Sequence, residues 1–256
     1  MEENTLQAME FQTNPMTPLA ALSEKLLQIA ASKQHEPSDP AYACEACRDS
    51  QWIVIAGKGA TLCECEKRRR RENLLAQIPL EYRGLDLATV QPMVGKHAKQ
   101  EALFAAVKAD PSVSLFLSGR NGCGKSLLGW LLYRQAVESG RPVVFLPLTE
   151  LMRQFREWEL DSEKLPVVDA TTLRNAKTRW LVVLDEAEKA RATEFASEKL
   201  CDLLDAVYTH RHQLIVTSNF NAANLREHWS KQNPVYGASI MRRIVELDGL
   251  IQVEMF

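Results

Sequence analysis

The segment GRNGCGKS, residues 119–126, constrains this 256-residue chain more than any other stretch. It follows the apolar run SVSLFLS and precedes a run with helical periodicity, so the glycines stand between a buried strand and a helix. Gly119, Gly122 and Gly124 let the backbone curl until consecutive N–H groups face one point. The start of a helix adds the positive end of its dipole. The segment therefore predicts a phosphate-binding loop of the form G-x-x-x-x-G-K-S.

The loop also predicts roles for its side chains. Lys125 is expected to reach the β- and γ-phosphates of ATP, and Ser126 to ligate Mg²⁺. The alternative is an ordinary glycine-rich turn, which is disfavoured because strand, loop and helix come in the order that the motif requires. The residues expected to line the nucleotide are Gly119, Asn121, Gly122, Cys123, Gly124, Lys125, Ser126 and Leu127.

The run LVVLDE, residues 181–186, ends in two acids. Its four apolar residues predict a central buried strand, which places both carboxylates at the strand's carboxyl end. Open α/β sheets bind their ligands at that edge. Asp185 is therefore expected to join Ser126 in the Mg²⁺ shell, and Glu186 to polarise the water that attacks the γ-phosphate.

The run LIVTSN, residues 214–219, repeats this pattern of an apolar strand with polar residues at its end. Asn219 is a candidate to hydrogen-bond the attacking water or the γ-phosphate. Asn often merely turns a chain, so the signal is weak by itself. Glu188, beyond the acidic pair, is expected to be a solvated helix residue.

Apolar strands alternate with helices from residue 112 onward, which predicts an α/β fold with a parallel sheet covered on both faces. Five strands are expected. They lie near residues 112–118, 142–147, 179–186, 213–219 and 250–255.

Together with GASIMRRI near the end of the sequence, these motifs resemble the AAA+ ATPases. More narrowly, roughly residues 78–250 are similar to bacterial helicase loaders of the DnaC/DnaI type and to the related IstB transposition helpers. The resemblance implies a P-loop AAA+ domain with a parallel five-stranded sheet between helices. It also implies that Glu186 is the catalytic carboxylate and that Asn219 is the residue that the family calls sensor 1.

The resemblance further implies an arginine finger that reaches the ATP of a neighbouring subunit. Arg243 fits best, because an arginine followed by an aliphatic residue matches the family pattern, and Arg242 is the alternative. No arginine follows Arg243 in this sequence, so the family's sensor 2 arginine has no counterpart. The implied partners are a hexameric replicative DNA helicase, single-stranded DNA and further copies of the chain.

Four cysteines form a separate pattern, with Cys44 and Cys47 spaced C-x₂-C and Cys63 and Cys65 spaced C-x-C. Four thiolates suit a tetrahedral structural Zn²⁺. The β-prone runs between the pairs predict a hairpin that brings them together. About 30 residues cannot bury enough surface to fold alone, so the metal would supply the stability. The alternative is scattered buried thiols.

The run KRRRR, residues 67–71, follows directly. It lacks interleaved aromatic residues, so any nucleic-acid contact would be to phosphate and independent of base sequence. The alternative is a solvated helix whose charge is neutralised by neighbouring glutamates. The sequence leaves both possibilities open.

Three segments follow from these patterns: residues 1–40, an acidic N-terminal helix and linker; residues 41–77, a zinc module and basic helix; and residues 78–256, the AAA+ ATPase domain. The net charge is −2, so any attraction to nucleic acid must be local. No apolar run is long enough to span a bilayer, and the N-terminus lacks the order of a signal peptide. We therefore expect a cytoplasmic protein without a membrane partner.

Three functions remain at this point. The first is an ATP-dependent helicase loader, in which the N-terminal module binds the helicase and the AAA+ domain binds ATP and single-stranded DNA. The second is an IstB-like transposition helper, which the zinc-like N-terminus disfavours. The third is an ATP-sensing adaptor with little hydrolysis, which the missing sensor 2 arginine favours.

Overall fold

The computed structural model describes residues 42–57, 59–90, 98–231, 233–247 and 249–255. The predicted N-terminal helix and linker, residues 1–40, lie outside them. Contacts divide the chain into one unit that ends at Cys63 and a second unit from Glu64 onward. The domain limits drawn from the sequence stay predictions.

A two-stranded antiparallel hairpin forms the described part of the first unit. Strand β1, Trp52–Ile55, pairs with β2, Gly59–Leu62, with Trp52 opposite Leu62. Gly57, in the turn, has a φ of +73°, which favours glycine. The hairpin expected between the cysteine pairs is confirmed.

The second unit contains a five-stranded parallel sheet in the order β4-β5-β6-β3-β7, which confirms the predicted fold class. Its strands are β3, Leu115–Gly119; β4, Val143–Pro147; β5, Leu181–Asp185; β6, Gln213–Ser218; and β7, Ile251–Met255. The helices are α1, Glu64–Ala76; α2, Ala98–Ala109; α3, Lys125–Glu138; α4, Leu148–Leu160; α5, Ala170–Arg174; α6, Glu194–Thr209; α7, Ala222–Ser230; and α8, Pro234–Val245. A 3₁₀ turn spans Leu80–Tyr82.

Helices cover both faces of this sheet. Alternate residues of each buried strand point to opposite faces, so both faces carry apolar side chains that pack against helices. Val182 and Leu184 of β5 join a core with side chains from α4 to α8. Leu181 and Val183 join a second core with α2 and α3. The double burial explains why the strands read as continuous apolar runs.

The basic helix α1 belongs to the second unit. Leu74 and Leu75 near its end pack against the core on the α3 side of the sheet. Tyr133 of α3 donates a hydrogen bond from its hydroxyl to the carbonyl of Leu74, at 3.2 Å. No helix among the described residues is long and apolar enough to cross a membrane.

The sheet order brings three carboxyl ends together. Strand β6 lies between β5 and β3, so the residues that follow these strands meet at one edge. Gly119, at the end of β3, has a φ of +143°, and a Cβ there would lie 1.9 Å from the carbonyl oxygen of Met255. Only glycine allows β7 to pair so closely beside the loop.

Candidate nucleotide site and cysteine cluster

The predicted phosphate loop connects β3 to α3 as a tight turn. Gly122 and Gly124 have φ values of +79° and +96°, the left-handed region that glycine adopts without strain. Gly124 immediately precedes the first helical residue, Lys125. The loop therefore presents the amino end of α3 to the carboxyl edge of the sheet, where an anion is stabilised.

Lys125 is buried, with 7% of its surface exposed, and its ammonium lies at the centre of the site. It donates hydrogen bonds to the carbonyls of Gly119 and Arg120, at 2.8 and 3.0 Å, and to the amide oxygen of Asn219, at 3.0 Å. All three acceptors are neutral. A phosphate oxygen is a stronger acceptor for this cation, because the resulting hydrogen bond joins opposite charges.

Ser126 and Thr217 bring hydroxyl groups to Asp185. The Ser126 Oγ lies 3.1 and 3.2 Å from the two carboxylate oxygens of Asp185, and Thr217 also donates to that carboxylate. Burial raises the pKa of Asp185, and the two hydroxyl hydrogen bonds oppose that rise. Adjacent hydroxyl and carboxylate oxygens in a partly buried site are ligands of the kind Mg²⁺ takes.

Glu186 adopts a left-handed backbone with φ +55°, which is costly for a residue with a side chain. Its amide donates to the Thr217 hydroxyl at 3.0 Å, which holds this conformation. Its side chain is 39% exposed, and its carboxylate forms an ion pair with Lys189. The strained residue thus turns its carboxylate toward the open side of the site.

Asn219 is held at both ends of its amide. Its oxygen accepts from Lys125, and its nitrogen donates to Glu188 at 2.6 Å. The other carboxylate oxygen of Glu188 accepts from the Ser218 hydroxyl at 2.9 Å. The expectation that Glu188 is a solvated helix residue is wrong: it links the loop after β5 to the end of β6.

A cavity of about 350 Å³ opens onto these groups. Tyr82, from the turn that precedes the core, also lines it, and sequence reasoning gave that residue no role. Three other predicted site residues contact Lys125 or Ser126 but do not line the cavity: Gly119, Cys123 and Asp185. The lining residues are Tyr82, Asn121, Gly122, Gly124, Lys125, Ser126, Leu127, Glu186, Glu188, Thr217, Ser218 and Asn219.

The two candidate arginine fingers lie on α8, and neither lines this cavity. Arg243 donates from Nε to Asp205 at 2.6 Å and from Nη1 to the carbonyl of Ser239 at 3.3 Å. Among the described residues its Nη2 makes no hydrogen bond. Arg242 has a 66% exposed side chain and a looser contact with Glu246, at 3.4 Å.

Fold and site together define a P-loop nucleotide-binding domain. Residues 114–239 match the family model described as "AAA domain (dynein-related subfamily)". This part of the chain is thus similar to AAA domains, as the motifs predicted. No curated protein matches the sequence.

Solved structures resemble this fold at low sequence identity. "Crystal Structure of the DnaI" superposes with a TM-score of 0.55 at 21% identity, over 73% of this chain and 97% of that chain. "Crystal structure of the DnaC helicase loader" gives 0.52 at 17%, over 68% and 99%. "Replication initiator DnaA bound to AMPPCP and single-stranded DNA" gives 0.52 at 14%, over 70% and 51%. The predicted likeness to DnaC- and DnaI-type AAA+ proteins is thus confirmed at the level of the fold.

The four predicted zinc ligands converge. The Sγ atoms of Cys44, Cys47, Cys63 and Cys65 all lie within 4.8 Å of one another. Those of Cys44 and Cys63 are 3.7 Å apart. Four thiolates at about 2.3 Å from one tetrahedral Zn²⁺ would be separated by about 3.8 Å. The donor set therefore fits zinc in number, chemistry and spacing.

The arginine run lies on α1, and acids of the same helix neutralise most of it. Arg69 and Arg70 both pair with Glu66, at 2.7 and 2.8 Å. Glu66 is 5% exposed, and the hydrogen bond from Arg70 is the main cause that lowers its pKa. Lys67 pairs with Glu64 and Arg68 with Glu72. The geometry favours a self-compensated helix over a dedicated phosphate contact.

The contacts of Glu188 generate a first prediction. Replacing Glu188 by Ala removes the acceptor that orients Asn219, so we expect ATP turnover to fall about tenfold with little change in KM. Glu188→Gln keeps an acceptor for Asn219 and a group that can bond Ser218, so it should stay within about threefold of the wild type. Steady-state ATPase assays over a range of ATP concentrations measure both. Full turnover in Glu188→Ala, or equal losses in both variants, would contradict a positioning role.

Proposed function

We propose that this chain loads a hexameric replicative DNA helicase onto single-stranded DNA in the cytoplasm, under control of Mg²⁺ and ATP. The observation that carries the proposal is the combination of a DnaI- and DnaC-like AAA+ fold with a four-cysteine hairpin module in the same chain. The module binds the helicase, and the AAA+ domain binds ATP, DNA and further copies of itself. The DNA-bound DnaA relative supports the DNA contact.

The chemistry at the site follows from the groups at the carboxyl edge. ATP phosphates bind the amino end of α3 and draw the Lys125 ammonium from its neutral acceptors. Ser126 and Asp185 would hold the Mg²⁺, which would supply positive charge to neutralise the phosphates. Glu186 orients and polarises the attacking water, and Asn219 holds that water or the γ-phosphate. Tyr82 closes one wall of the cavity.

The loader function is tested by mixing the full chain with its cognate hexameric helicase. We expect a complex by light scattering, and helicase transferred to circular single-stranded DNA only with ATP. Lys125→Ala should bind ATP at least about a hundredfold more weakly, because a charge-assisted phosphate contact is lost, and should fail to load. Lys189→Ala, beside the site, should retain ATP binding. Absence of a complex in every nucleotide state would refute the loader function, and tight ATP binding by Lys125→Ala would refute the site assignment.

The zinc site has its own test. We expect one zinc per chain by elemental analysis, lost in Cys63→Ser and retained in Cys201→Ser, because burial raises the pKa of the Cys201 thiol and the residue lies on α6. Without metal the hairpin should become sensitive to protease, since metal binding and folding are coupled in such small modules. Wild-type protein free of zinc after metal-supplemented purification would count against the site.

The arginine finger is assigned to Arg243. Asp205 and Ser239 fix its Nε and Nη1, which leaves Nη2 for a phosphate oxygen of a neighbouring subunit. Arg243→Ala should lower ATP turnover in the assembly about a thousandfold without weakening ATP binding, as expected for loss of a finger. Arg242→Ala is the matched control and should change turnover less than about threefold. The reverse outcome would assign the finger to Arg242.

A further inference from the structure

Tyr82 brings a hydroxyl group to the wall of the nucleotide cavity, and the fold gives that hydroxyl no partner. The residue ends the 3₁₀ turn Leu80–Tyr82 and lines the cavity together with residues of the phosphate loop. Within the part of the chain that the structure describes, the Tyr82 hydroxyl makes no hydrogen bond. A polar group that no protein group satisfies on a cavity wall is available to a ligand.

Tyr133 of α3 shows the other use of a tyrosine in the same part of the fold. Its hydroxyl lies 3.2 Å from the carbonyl oxygen of Leu74 and 3.2 Å from the amide oxygen of Gln77. Burial raises the pKa of Tyr133 to about 12. This hydroxyl joins α1 to α3, so a structural role explains it. No such contact explains the hydroxyl of Tyr82.

The turn that carries Tyr82 is held against α1 and α3. Arg83 donates from Nε to the carbonyl of Ile78 at 2.8 Å and from Nη2 to the carbonyl of Ala76 at 2.6 Å. Arg134 of α3 donates to the carbonyl of Arg83. The ring of Tyr82 packs against the core on the α3 side of the sheet. Because α3 begins at the phosphate loop, these contacts pre-organise the tyrosine relative to that loop.

The charges that act on Tyr82 place it near the acidic end of β5. Burial, then the charge of Glu81, then the charge of Asp185 raise the pKa of its hydroxyl, which therefore stays protonated as a donor. Glu186 and Asn219, which follow β5 and β6, line the same cavity. The γ-phosphate is expected beside these strand ends, where the metal ligands and the attacking water meet.

The other parts of a nucleotide suit this position less well. Apolar and aromatic walls suit a purine base. The cavity wall consists mainly of glycines, hydroxyls, amides and charged groups, and Leu127 is the apolar side chain that lines it beside Tyr82 among the described residues. The α- and β-phosphates belong at the amino end of α3 and at Lys125. The γ-phosphate is the part that remains for a donor at Tyr82.

We propose that the Tyr82 hydroxyl donates a hydrogen bond to the γ-phosphate of ATP, so that Tyr82 makes the site prefer ATP over ADP. A hydrogen bond to a charged acceptor is roughly twice as strong as one between neutral groups. ADP offers no oxygen at this position, so the contact contributes nothing to its binding. The inference rests on the ATP binding of the proposed function and adds a residue that determines which nucleotide the site prefers.

The experiment measures the affinity of the full chain for ADP and for AMP-PCP, an ATP analogue that resists hydrolysis, by isothermal titration calorimetry with Mg²⁺. Tyr82→Phe removes only the hydroxyl and should weaken AMP-PCP binding about tenfold, the loss expected for one hydrogen bond to a charged group. The affinity for ADP should change less than about twofold. The ratio of the two affinities is the decisive readout, because general damage to the cavity lowers both.

Two control variants leave the proposed contact intact. Tyr208→Phe removes a hydroxyl from a 44% exposed tyrosine that lines a different cavity. Leu80→Ala changes a 77% exposed side chain on the same turn as Tyr82. Both controls should keep the wild-type ratio of affinities, and Tyr82→Ala should lower that ratio as far as Tyr82→Phe does. Unfolding midpoints check that each variant is folded.

Three outcomes would overturn the inference. These are wild-type affinities in Tyr82→Phe, equal losses for AMP-PCP and ADP in that variant, and an equally lowered ratio in either control. If the wild-type chain binds neither nucleotide, or if Lys125→Ala binds both as tightly as the wild type, the nucleotide site of the proposed function fails instead. Normal wild-type binding with an unaffected ratio in Tyr82→Phe removes only the role of Tyr82.

Discussion

The candidate nucleotide site depends on the burial of β6 between β5 and β3. All six residues of this strand are buried, so its position in the sheet is set by packing on both faces. The position of its carboxyl end in the site is therefore fixed relative to the neighbouring strands. There Thr217 bonds Asp185, and Asn219 bonds Lys125. One buried strand thus joins the phosphate loop on one side to the acidic strand end on the other.

The sequence predicts those features of the site that produce a pattern within a short stretch of residues. Strands buried on both faces read as apolar runs, and a phosphate loop needs glycines at fixed spacing. Parallel strands bind their ligands at their carboxyl ends, so the sequence predicts Asp185 and Asn219 at the same edge of the sheet. The five-stranded sheet follows from the same runs. The C-x₂-C and C-x-C spacings likewise predicted a cluster that the hairpin brings together.

The remaining parts depend on contacts between residues far apart in sequence. Glu188 bonds Ser218 and Asn219, about 30 residues away, and its sequence context resembles that of a solvated acid. Tyr82, the last residue of the 3₁₀ turn, lines the cavity although it lies far before the phosphate loop in the sequence.

A parallel sheet has two chemically different edges, and the candidate nucleotide site lies at the carboxyl edge. The carboxyl edge collects glycine-loop amides, one lysine and three acids, which suits a Mg²⁺–nucleotide complex. The most basic stretch of sequence instead cancels much of its own charge within α1. Local composition is therefore a poor guide to the charge that the folded chain presents.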